Sequence, residues 1–104
     1  MIYDGVMANN RDLGVPSEVT QDSNAAEVIR AWVANGGLVC AVRPLQWQNP
    51  AAWGLVLADV ARHVANAVRD EVGTEPSATL ESIRNMFNKE LVAPTDEPTG
   101  SFVG

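Results

Sequence analysis

In this chain of 104 residues, the side chains whose types and spacing could do chemistry are one cysteine, one histidine and the carboxylates near that histidine. Asp59 and His63 stand four residues apart, which on a helix places them on one surface, where a carboxylate could orient an imidazole as a general base. The same spacing also gives an ordinary exposed helix pair, which is worth little in stability. Glu71 lies further along the same segment. Cys40 sits between Leu38 and Val42 in an apolar run, and a thiol so placed is a small hydrophobe, because reactive cysteines need exposed, electropositive surroundings. A zinc site needs three or four converging ligands, and one Cys with one His does not supply them. No glycine-rich phosphate loop or nucleophile elbow of the usual spacing occurs. The expectation is therefore no cofactor, no metal and no catalytic motif, with His63 and Asp59 as the weak candidates for an enzyme.

Binding is better represented. Trp32, Trp47 and Trp53 fall within 22 residues. Aromatic and arginine side chains are the usual anchors of protein interfaces, so Trp32, Arg30, Arg43 and Trp47 form the candidate interaction patch. Trp53 falls on an apolar helical stripe and is expected in the core. Trp47, in the loop before it, either lids that core or joins the patch.

These residues depend on three elements. Between Ala26 and Pro44, Asn35 and Gly36 separate two apolar runs, and Asn-Gly is the strongest short hairpin signal because both turn positions need positive φ. With these two as the loop, Val33 opposes Leu38, Ala31 opposes Cys40 and Ile29 opposes Val42, an apolar face that reads as a core face. Val28, Arg30, Trp32, Val39, Ala41 and Arg43 share the other face. A helix over residues 24–34 capped by Ser23 is the rival reading, disfavoured by the β-branched Val28, Ile29 and Val33. Asn49 and Pro50 then open a helix in which Trp53, Leu57, Val60, Val64 and Val68 recur at helical period, ending at Gly73. A second helix follows Pro76 or Ser77, with Leu80, Ile83, Phe87 and Leu91 inward, and Pro94 stops it. The expected fold is α+β: a β-hairpin at about 27–43 packed against two antiparallel helices at about 50–72 and 77–92.

The net charge is -6, from 13 acidic and 7 basic residues. All of the excess lies at the ends, since residues 28–94 hold six bases and six acids. Residues 1–24 and 95–104 lack periodicity and are rich in Asn, Gly and Pro, so they read as flexible acidic arms flanking a single domain over 25–94. Ile2, Tyr3, Val6 and Phe102 are the side chains by which an arm could hold a partner. An acidic chain is a poor nucleic-acid binder. No leader segment, disulfide pattern or 18-residue apolar run is present, so the reading is a cytoplasmic protein without membrane attachment.

The residues Glu27-Val28-Ile29-Arg30-Ala31-Trp32, Asn35-Gly36-Gly37-Leu38, Val42-Arg43-Pro44, Pro50-Ala51-Ala52-Trp53-Gly54 and Leu57 to Val64 resemble a group of small alphaproteobacterial domains of unknown function. The resemblance covers about residues 25–95 and implies no activity, cofactor or substrate. The expected function is that of a non-catalytic interaction or accessory domain binding another protein or itself, as a homodimer through the free hairpin edge. Two further readings are the small enzyme using His63 and Asp59, and an acidic regulator of a basic partner. The second is weakened because the acid lies in the arms and not on the folded body.

Overall fold

The computed structural model describes residues 12–103. The elements follow in the order α1 (Ser17–Thr20), β1 (Ile29–Ala34), β2 (Gly37–Val42), α2 (Ala52–Val72), α3 (Pro76–Val92) and β3 (Thr99–Phe102). They form two units, one of residues 12–46 with 98–103 and one of residues Trp47–Glu97. Ile2, Tyr3 and Val6 lie outside the described residues.

The first unit is built on the hairpin. Asn35 and Gly36 take φ values of 54° and 76°, the left-handed pair that a two-residue turn of this hand demands. The register follows at once: Ile29 pairs with Val42, Ala31 with Cys40, and Val33 with Leu38, while Arg30 and Trp32 oppose Ala41 and Val39 on the other face. The Arg43 amide donates to the Val28 carbonyl at 3.0 Å and prolongs the ladder by one step. The helical alternative for residues 24–34 is thereby excluded. Ahead of the hairpin, α1 is a single turn, and Asp12 and Asp22 each accept a bond from the amide two residues on, at 2.7 and 2.9 Å, the Asx turns that carboxylates of this length make.

The C-terminal segment adds a strand that its sequence does not announce. β3 lies parallel to β2, with Val39 opposite Thr99 and Val42 opposite Phe102, so the sheet order is β1-β2-β3. Residues 99–102 are therefore sheet and not a free tail. Gly100 makes the approach feasible: its φ is 135°, and a Cβ there would run into the Cys40 carbonyl oxygen. One edge of the hairpin is thus occupied, and among the described residues β1 is the edge that remains.

The second unit is a helical hairpin. Asn49 accepts a bond from the Ala51 amide at 3.0 Å through its side chain and one from the Ala52 amide at 3.0 Å through its carbonyl, so it starts the chain's turn into α2. Gly73, at φ 80°, closes α2 with its amide on the Arg69 carbonyl. Pro76 occupies the first turn of α3, where its missing N–H is no loss. After α3, the Glu90 carboxylate accepts bonds from the Thr95 amide at 3.1 Å and hydroxyl at 2.6 Å.

The core departs from the sequence expectation. Among the described residues the fully buried one is Ala65 on α2. Leu57, Val60 and Val64, expected inward, are 42%, 50% and 43% exposed, and Phe87 and Leu91 on α3 are 46% and 68% exposed. On the sheet, Ile29 and Val33 of the intended core face are also exposed, and Cys40 is half-buried. The periodicity correctly marks which side chains share a face. It does not state that this chain alone covers that face.

Candidate functional site

On the sheet, alternation puts Arg30 and Trp32 on one face of β1, and there they meet: the guanidinium carbon lies 6.0 Å from the centre of the indole ring, the outer limit of a cation–π contact. Glu27, just before the strand, takes two hydrogen bonds from Arg30, from Nε at 3.2 Å and from a terminal nitrogen at 2.8 Å. Hydrogen bonding to Glu27, then its charge, raises the Arg30 pKa above its ordinary value. The sign is that of a cation gaining a partner, so the contribution persists until the pH climbs through the arginine range. Both partners are more than half exposed, so the pair orients the guanidinium more than it stabilises the fold. Arg43 shares the face of Arg30 and Trp32 by register.

Trp47 belongs to the helical unit, where its ring meets that of Trp53 edge-on, with centroids 5.5 Å apart and planes at 79°. This T-shaped pair is a favourable arrangement of two aromatic rings, and it lies within the helical unit, whereas Arg30, Trp32 and Arg43 lie in the sheet unit. Asp59 and His63 share an exposed flank of α2, and neither forms a hydrogen bond or ion pair with the other. Among the described residues no group of three or more His, Cys, Asp or Glu is placed to hold a metal ion, and no helix is long and apolar enough to cross a membrane.

A groove between α2 and α3 is the feature that the sequence reading does not include. It encloses about 580 Å³ and is lined from α2 by Leu57, Val60 and Val64 and from α3 by Leu80, Ile83 and Phe87. Gly54, Ala58 and Ala61 also line it, and Ala65, next along the same line of small residues, is the buried one. Arg62 and Arg84 are its charged lining residues, one from each helix. The signal in the sequence is the pair Ala61 and Ala65, half-buried and buried: small side chains one turn apart let a neighbouring helix come close, while Gly54 and Ala58 at the same period stay exposed in the groove beside the larger stripe.

A hairpin-based sheet and a helical hairpin of this length define a small α+β domain. The family model described as "Domain of unknown function (DUF5076)" matches residues 12–95. The chain belongs to that family. Among solved structures, it is similar to a protein of the photosynthetic bacterium Rhodopseudomonas palustrus CGA009, provisionally named a pyruvate dehydrogenase, with a TM-score of 0.66 and 38% identity over 89% of this chain and 95% of that one. Among curated proteins no match is found.

Proposed function

We propose that the chain is a non-catalytic, cytoplasmic interaction domain that associates with a second copy of itself or with another protein. The observation that carries this reading is the exposure of apolar side chains arranged in order: Ile29 and Val33 on one face of β1 with Trp32 on the other, and Leu57, Val60, Val64, Phe87 and Leu91 along the two helices. Scattered surface hydrophobes need no explanation, but side chains in register on one strand or at one helical period are how a chain prepares a surface for burial. β1 adds a backbone edge, unpaired among the described residues and open to strand addition. Arg30, held by Glu27 beside Trp32, supplies a polar anchor next to it, with Arg43 on the same face. His63 and Asp59 share an exposed flank of α2 and do not line the groove between α2 and α3.

The test is the mass of the purified chain in solution across a dilution series, by light scattering or sedimentation. A dimer or higher species in the micromolar range supports the reading. A monomer at every concentration up to about 1 mM, where the association free energy would be weaker than about -4 kcal/mol, overturns self-association.

A further inference from the structure

We infer that the groove between α2 and α3 is where a second copy docks, helical hairpin against helical hairpin, to make a four-helix core from two chains. This rests on the self-association reading and names its surface. Leu57, Val60, Val64 and Phe87 in the groove, with Leu91 one turn beyond it on α3, at the exposures given for each, leave about 400 Å² of apolar surface on one chain, taking about 150–200 Å² for each whole residue. A standard interface takes about 800 Å² from each partner, a little over half of it apolar. The stripe therefore supplies the apolar part of one such interface, whereas Ile29, Trp32 and Val33 offer about half as much and divide it between two faces of β1.

Leu57, Val60 and Val64 are spaced by three and four residues, and so are Leu80, Ile83 and Phe87, the spacing with which helices interlock at shallow crossing angles in bundles. The partner that suits a groove so lined presents the same spacing. In a two-fold interface one patch is both groove and ridge.

Arg62 and Arg84 line the groove, Asp59 precedes the first by three residues, and Glu81 precedes the second by three. Neither acid forms an ion pair with its arginine within the chain. In a two-fold pairing the acids of one copy are available to the arginines of the other, twice over. No carboxylate lines the groove itself, so closing it leaves no acid stranded in the apolar centre.

The experiment compares three forms of the full chain by sedimentation: unmodified, Val60→Glu with Val64→Glu, and Val33→Lys at the β1 edge. Circular dichroism checks that helix content is retained. Since Val60 and Val64 are half exposed within one chain, the fold should tolerate the charges. The expected result is an unmodified dimer, a dissociation constant raised at least about 100-fold by the helix substitutions, and little change from Val33→Lys. A dimer broken by Val33→Lys but not by the helix substitutions overturns this inference and leaves self-association standing. A monomeric unmodified chain overturns both. Hydrogen exchange of the unmodified chain on dilution reads the same surface without substitution: protection lost over residues 54–64 and 80–87 supports the groove, and protection lost over 29–34 alone overturns it.

Discussion

Replacing Gly100 with alanine should release β3 from the sheet while leaving the hairpin of β1 and β2 paired. The added Cβ would meet the Cys40 carbonyl oxygen and lie 2.8 Å from the Cys40 carbonyl carbon and 2.9 Å from its amide nitrogen. All three obstacles are backbone, so no rotamer change can clear them. The φ of 135° adds a strain of about 1–3 kcal/mol for a residue with a side chain. Against this, β3 has little to offer. It is four residues long and exposed throughout, with Phe102 still 75% in solvent. Each backbone hydrogen bond nets about 0.5–1.5 kcal/mol, and freeing a residue returns about 1–2 kcal/mol of conformational entropy. Detachment should therefore be easier than distortion of β2. The assay is amide exchange by NMR: residues 99–103 should lose protection together, including the Val103 amide now bonded to the Val42 carbonyl at 3.0 Å, while residues 29–34 retain theirs. If Gly100→Ala leaves 99–103 protected and the melting temperature unchanged, the close parallel approach of the two strands is wrong.

Two further substitutions test local devices. Gly36→Val places a β-branched residue at φ 76° and should cost about 1–3 kcal/mol, read as a lower melting temperature with loss of the cross-strand pairing of Ala34 and Gly37. Glu90→Ala removes both bonds to Thr95 and should cost about 1 kcal/mol, with faster exchange of the Thr95 amide and no change at Gly73, the far end of the helical hairpin.

What can be read from the residues follows from the range of the forces involved. Asn35 and Gly36 determine a turn by local φ preference, and period-2 alternation then leaves one register, so every pair from Ile29–Val42 to Val33–Leu38 is legible in the sequence alone. Asn49, Gly73 and Pro76 likewise mark the helix ends to within two residues. β3 is not legible, because Thr99-Gly100-Ser101-Phe102 has neither alternation nor a run of branched side chains. Its pairing is decided by the glycine's fit to Cys40, a contact between residues sixty apart. The state of the helical stripe is not legible either. Period identifies Leu57, Val60 and Val64 as companions, but the small residues Ala61 and Ala65 beside them compete for the neighbouring helix. Which side of α2 is covered depends on that competition. In the candidate patch, Arg30 and Trp32 meet because strand alternation requires it, while Trp47 finds Trp53, a partner that local spacing alone does not select.

The parallel pairing of β2 with β3 means that residues 43–98 form an excursion between two neighbouring strands. In chain statistics, closing such an excursion depends on length only logarithmically, so even a doubling of the intervening segment would weaken strand docking by about 0.6 kcal/mol. The helices are thus free to be lengthened, shortened or recut by whole turns with small thermodynamic consequence for the sheet, so long as a glycine still arrives opposite Cys40.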